Sequence, residues 1–364
     1  MLLYLHIPFC HRICPYCSFY KHTPGSTPVG ALVDALLAEA ACRLPECPEP
    51  PRTLYLGGGT PSMLSPGHLR RLFEGLHSLL DFSSLDEVAL EANPATFDAK
   101  KAALFVACGV TRVSLGIQSF APHVLATLGR EHSPGEARDS VAVLRAAGVP
   151  EVNIDLMFSI PGQTMEDWRA TLEESLRLEP DHISAYNLTY EEDTAFFESL
   201  RRGDMLPDED RDAEMFHLAC EMLESAGYRH YETSNYARPG RESRHNLGYW
   251  QGEDYLGLGP SAVSTLSGTR HTNVADTTRY AAMVSSLGRA VVESDPLTTE
   301  QRRIERIALG LRTSAGIALE WLDPAGRARA QQLATEGMAQ IADGRFILSG
   351  RARALVDPVT ADLI

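Results

Sequence analysis

Along the first half of the chain, short apolar runs alternate with longer amphipathic ones. Leu2 to Ile7, Thr53 to Leu56, Glu87 to Glu91, Arg112 to Gln118, Glu151 to Phe158 and His182 to Leu188 are rich in Val, Ile and Leu and short enough to read as strands. Between them, Val29 to Arg43, Pro66 to Leu80, Phe97 to Ala107, Gly135 to Ala147 and Met165 to Leu178 repeat their apolar positions at helical spacing. Strand and helix in regular alternation predict right-handed parallel β/α units. The predicted fold class is α/β: a partial parallel (β/α)6 barrel with a smaller, mostly helical C-terminal domain.

After Asp204 this rhythm breaks. A helical stretch, Asp208 to Ala226, leads into a Gly-, Tyr- and Asn-rich segment, Tyr228 to Gly268. Towards the end, Arg302 to Leu311 and Ala325 to Ala342 read as helices and Arg345 to Leu348 as a short strand. The expected division is a core barrel over 1–203, a barrel extension over 204–295 and a small accessory domain over 296–364.

The predicted strands end on an unusual set of groups: a cysteine-rich loop, Gly57-Gly58-Gly59-Thr60, Glu91, Gln118, Asp155 and Asn187. Strand C-termini in a β/α barrel converge on one face, so these groups are expected to share a pocket there. Each alone has a plain structural explanation, a tight turn for the glycines or a solvated ion pair for a charged side chain such as Arg130.

Cys10, Cys14 and Cys17 place three thiols in one loop directly after the first strand, while Cys42, Cys47, Cys108 and Cys220 are scattered. Seven cysteines so arranged do not form a disulfide framework. Three clustered thiolates suit a four-iron cluster with one iron lacking a protein ligand. A closed zinc site with His6, His11 or His22 as fourth ligand is the alternative, although such sites usually come as two separated pairs.

The segment YLHIPFCHRICPYCSFY resembles the radical S-adenosylmethionine (SAM) superfamily, with Tyr16 at its aromatic position before the third cysteine. The resemblance covers almost the whole chain and narrows to the group that contains oxygen-independent coproporphyrinogen III oxidase and the HemW-type heme chaperones. It implies a 4Fe-4S cluster on Cys10, Cys14 and Cys17, with SAM chelated by the open iron. It further implies SAM contacts from Gly58, Gly59 and Thr60, and from Glu91, Gln118, Arg130 and Asp155 in the motifs EANP, LGIQSF, LGREH and NIDLMF. Tyr4, Thr189 and Val263 are expected to border the same cofactor.

Within that group, Phe19 stands where the oxidases carry a further cysteine, and the chain starts at the barrel strand without the oxidases' covering extension. His245-Asn246-Leu247-Gly248-Tyr249-Trp250 resembles the HNxxYW signature of heme-binding chaperones, which makes His245 a candidate heme iron ligand; a histidine hydrogen-bonded in a turn is the structural alternative. Leu256-Gly257-Leu258-Gly259-Pro260-Ser261-Ala262-Val263 departs from the Gly-Ala-His of the chaperones and is closer to the oxidase pattern. The resemblance implies a chaperone passing heme to apo-hemoproteins, with the oxidase or a radical SAM methyltransferase as rivals.

Composition adds limits. Forty-eight acidic against 33 basic residues give a net charge of −15, which repels phosphate backbones and argues against nucleic acid as a partner. No run approaches the roughly 18 apolar residues of a membrane span, and MLLYLHIPFC lacks the basic lead and cleavage site of a secretory signal. A cytoplasmic protein is expected, with membrane contact at most peripheral and an electron donor for the cluster.

Overall fold

A computed structural model describes residues 1–25 and 27–364. The strands β1 (Leu2–Ile7), β2 (Thr53–Gly58), β3 (Glu87–Ala92), β4 (Arg112–Gln118), β5 (Glu151–Phe158) and β6 (His182–Asn187) pair in parallel in that order. Helices α1 (Val29–Arg43), α2 (Pro66–Leu79), α3 (Ala99–Ala107), α4 (Pro122–Thr127), α5 (Pro134–Ala146) and α6 (Met165–Arg177) connect them, so the predicted β/α alternation is present. Reciprocal capping boxes start two of the helices, Ser133 with Glu136 for α5 and Thr164 with Asp167 for α6, each satisfying backbone N–H groups that have no partner in the first turn.

Period-two alternation assigns the two faces of each strand different work. Leu3, Leu5, Leu54, Leu56, Val88, Leu90, Val113, Leu115, Val152, Ile154, Leu156 and Ile183 belong to the main apolar core. Their neighbours along the strands, among them Tyr4, Tyr55, Glu91, Ser114, Asn153, Asp155, His182 and Ser184, take the opposite face. Burying polar side chains is costly unless they are hydrogen-bonded. They are joined to one another: Asn153 Nδ2 donates to Ser114 Oγ, to Asp155 Oδ1 and to Ser184 Oγ at 2.6, 2.8 and 3.1 Å.

Past β6 come α7 (Ala195–Arg201), α8 (Glu209–Ser225), β7 (Arg229–Glu232), β8 (Asn235–Ala237), α9 (Arg244–Trp250), β9 (Tyr255–Leu258), β10 (Val263–Leu266), β11 (Thr269–Asn273), α10 (Thr277–Leu287) and β12 (Val291–Pro296). The sheet therefore continues on both edges. Its order is β12-β11-β10-β9-β1-β2-β3-β4-β5-β6-β8-β7, with β9 parallel to β1 and the other additions antiparallel. Glu39 of α1, fully buried, ties this extension down by accepting from Gly259 N, Asn273 Nδ2 and Tyr280 Oη at 3.0, 2.9 and 2.6 Å.

The C-terminal stretch holds α11 (Thr299–Gly310), β13 (Ile317–Ala318), α12 (Pro324–Thr335), β14 (Ala339–Ala342), β15 (Arg345–Leu348) and α13 (Val356–Leu363) around a separate apolar cluster that includes Ile307, Leu333 and Phe346. One expectation needs correcting. The helix expected over Ala325 to Ala342 stops at Thr335, because Gly337 takes a left-handed φ of 78° and the chain returns as β14 against β15. Among the described residues no helix is long and apolar enough to cross a membrane.

Candidate functional site

The C-terminal ends of the parallel strands open into a cavity of about 520 Å³. Its wall includes Cys10, Cys14, Tyr16, Cys17, Gly58, Gly59, Thr60, Glu91, Gln118, Arg130, Asp155 and Thr189. Residues scattered over about half of the chain are thus brought to one place.

Local backbone chemistry explains how the cysteine loop meets the glycine loop. Gly59 N donates to Ile7 O and Thr60 N to Phe9 O, both at 2.8 Å, so the β2 loop is stitched to the end of β1. Gly58 has φ of 106°, and a Cβ there would lie 2.5 Å from the His6 ring; no other residue fits. Thr60 Oγ1 in turn donates to Cys10 Sγ at 3.6 Å. Burial pushes the Cys10 and Cys17 thiols up from their ordinary range.

The charged groups are held individually. Glu91 accepts from Tyr55 Oη at 2.9 Å and from Gly58 N at 3.1 Å, and burial raises its carboxyl to about 7 despite those bonds. Asp155 accepts from Ser114 Oγ at 2.7 Å and from Asn153. Arg130 donates to Asn93 Oδ1 and to Gly116 O, and its Nη1 lies 3.7 Å from Cys14 Sγ. Among the described residues no carboxylate forms a salt bridge with Arg130. Gln118 holds a left-handed φ of 69° where the β4–β5 register slips, and such backbone strain is typical of residues placed for function. Tyr16 packs against Phe196.

Three of the expected residues lie outside the cavity wall. Tyr4 donates from its hydroxyl to His6 Nδ1 at 3.0 Å and stacks on Tyr55, while Val263 opens β10 opposite Thr272. His245 sits at the N-terminal end of β2, 1% exposed, hydrogen-bonded through Nδ1 to Thr53 Oγ1 at 2.7 Å and through Nε2 to Tyr249 Oη at 3.2 Å. Burial pushes its imidazole down to about 3. With both ring nitrogens engaged and the side chain buried, His245 as placed offers no free nitrogen to iron, and ligation would require at least one of these bonds to break. Sequence reasoning also passed over Asn93 and Tyr55. Asn93 stands inside the quoted EANP motif, whereas the only trace of Tyr55 is an aromatic at an inward position of β2.

Comparison with known proteins gives the family. Residues 4–174 match the radical SAM superfamily. Proteins named heme chaperone HemW are 35% identical in Lactococcus lactis, over 96% of this chain and 91% of that protein, and 38% identical in Mycobacterium tuberculosis, over 100% and 94%. The chain belongs to the HemW family of the radical SAM superfamily. Its fold is also that of coproporphyrinogen III oxidase (HemN) from Escherichia coli, with a TM-score of 0.83 at 23% identity over 100% of this chain and 89% of that one.

Superfamily membership implies a 4Fe-4S cluster and SAM, and the residues present fit both. Among the described residues, no three His, Cys, Asp or Glu side chains converge on a position for a single metal ion. Cys10, Cys14 and Cys17 all border this one cavity, as a cubane cluster held by three thiols requires. A guanidinium without a carboxylate partner, beside two carboxylates that accept hydrogen bonds, is a donor set for an amino-acid cofactor.

Proposed function

We propose that this chain is a heme chaperone that holds a 4Fe-4S cluster on Cys10, Cys14 and Cys17, binds SAM in the adjoining cavity and passes heme to apo-hemoproteins. The observation that carries the reading is near-full-length identity with relatives named heme chaperone HemW. Phe19 supports it: it lies at the cavity rim, 64% exposed, where the oxidase group has its additional cysteine. The chain is proposed to act in the cytoplasm, with an electron donor for the cluster.

When bound, a cluster with one iron free of protein ligands supplies a chelation point for SAM and an electron for it. The chain's own residues do the rest. Arg130, oriented by Asn93, offers its guanidinium to the carboxylate of SAM, while Glu91 and Asp155 accept from its ammonium or ribose hydroxyls. Gly58 and Gly59 keep the backbone close to the ligand because no Cβ intervenes. In this scheme His245 reaches heme iron only once one of its bonds to Thr53 and Tyr249 breaks.

The oxidase reading retains one observation, the segment Leu256 to Val263, which lacks the chaperones' Gly-Ala-His and is closer to the oxidase pattern. Anaerobically reconstituted protein assayed with heme and, separately, with coproporphyrinogen distinguishes the two. Saturable heme binding with no decarboxylation is the expected result; turnover of coproporphyrinogen would overturn the chaperone reading.

A further inference from the structure

We infer that Tyr55 couples the cavity to the helix carrying His245-Asn246-Leu247-Gly248-Tyr249-Trp250, so that a ligand engaging Glu91 alters the packing of α9. The inference rests on the proposed SAM site and extends it from binding to control.

Tyr55 is the side chain of β2 that both borders the cavity and touches α9. Its hydroxyl donates to Glu91 Oε1 at 2.9 Å. Its ring stacks on the His245 imidazole, with centroids 4.9 Å apart and planes 26° apart. His245 continues the column edge-on to Tyr249 at 4.9 Å, and Tyr249 edge-on to Tyr255 of β9 at 4.8 Å. An aromatic column therefore runs from a cavity carboxylate through His245 and Tyr249 of the HNLGYW helix to β9.

There is little slack along it. A Cβ on Gly57 would fall 2.8 Å from the Tyr55 ring and 2.9 Å from Glu91 Oε1, so the pair is packed flush against the backbone between them. Glu91 Oε2 is already taken by Gly58 N. A ligand ammonium or hydroxyl that engages Glu91 Oε1 shares that oxygen with the Tyr55 hydroxyl, and packed rings pass any shift of Tyr55 on. A second buried route reaches the same helix: Asp155 accepts from Asn153, whose Oδ1 pairs with His182 Nδ1 at 2.6 Å. His182 Nε2 meets Tyr231 Oη at 2.7 Å, and that hydroxyl accepts from Ser243 N at 3.1 Å, at the N-cap of α9. Both carboxylates proposed to hold SAM are thus wired to α9, which makes it the element whose stability the ligand sets.

The test is amide hydrogen exchange on the full, anaerobically reconstituted chain, with SAM binding measured on the same samples by equilibrium dialysis. In wild type, SAM should change exchange at residues 244–250 at least threefold. In Tyr55→Phe, which keeps the ring and loses the hydroxyl, SAM should still bind within about tenfold while the change at 244–250 falls to half or less, the remainder passing through Asp155. Binding to wild type without any change at α9 overturns the coupling, as does a full SAM response in Tyr55→Phe. If wild type does not bind SAM, the cofactor reading fails and takes the inference with it, and dialysis separates that failure from the first. The wild-type arm decides even where the variant does not fold.

Discussion

Asn93 holds Thr60 and Arg130 at the same time: its Nδ2 donates to Thr60 Oγ1 at 3.0 Å, and its Oδ1 accepts from the Arg130 guanidinium. One amide thus fixes the groups that meet Cys10 and Cys14. A hydrogen bond to a charged group is worth about 1.5 to 3 kcal/mol, so Asn93→Ala should weaken SAM binding roughly ten- to a hundredfold. Iron content should be unaffected. Equilibrium dialysis beside metal analysis checks both; unchanged SAM affinity would show that Arg130 needs no such support.

Cys10, Cys14 and Cys17 are expected to act as a set. Reconstituted wild type should hold about four irons per chain, and replacing all three by alanine should abolish the iron-sulfur absorption. Replacing Cys42, Cys47 and Cys108, none of which lines the cavity, should leave it intact. Iron and sulfide analysis with visible spectra measures this, and tightly bound zinc in place of iron would refute it.

Glu232 offers a pH test remote from the cysteines. It is 2% exposed, its Oε1 has no hydrogen-bond partner, and burial raises its carboxyl to about 7. A raised carboxyl favours the protonated form in the fold, so its contribution to stability is present below about 4.5 and is lost as pH rises through about 7. Glu232→Gln should therefore be more stable than wild type at pH 8, by about 3 kcal/mol at most, and the difference should vanish near pH 4.5. Urea denaturation at the two pH values measures it; an equal difference at both would assign the effect to packing.

His245 carries the opposite sign. Its imidazole, pushed down to about 3 by burial, stays neutral in the fold, so stability is lost as pH falls from 6.5 towards 3. His245→Ala should cost about 2 to 4 kcal/mol through the lost stack on Tyr55 and the orphaned Thr53 hydroxyl. His245→Phe, which keeps a ring, should cost less and flatten the acid limb. Thermal melts over pH 4 to 7 check this, and heme titration of the folded His245→Phe variant then reports on ligation separately from stability.

The barrel was legible because its strands are short apolar runs and its helices repeat their apolar positions at helical spacing. Arg112 to Gln118 and Glu151 to Phe158 appear with the expected boundaries. The strands of the extension were not, since β8 has three residues and β9 reads Tyr-Leu-Gly-Leu, too short and too glycine-rich for a periodic signal. They exist because their neighbours supply hydrogen-bonding edges, which is information spread over distant segments. Most of the cavity wall was legible from motifs at strand ends. The setting of His245 was not: HNLGYW resembles a heme-binding signature, but its burial under β2 depends on Thr53 and Tyr55, far away in sequence.

The pairing of β1 with β9 has a consequence for how the chain is made. Leu2 to Leu5 lie between β2 on one side and Tyr255 to Leu258 on the other, so the second edge of β1 stays open until the ribosome has delivered the segment after α9. Throughout that interval an apolar strand shows unpaired N–H and C=O groups, the template on which nascent chains join one another. Production of this protein should therefore depend on holdase capacity and elongation rate, with slower synthesis lengthening the exposure. Truncation before Tyr255 should send the otherwise complete six-strand core into aggregates.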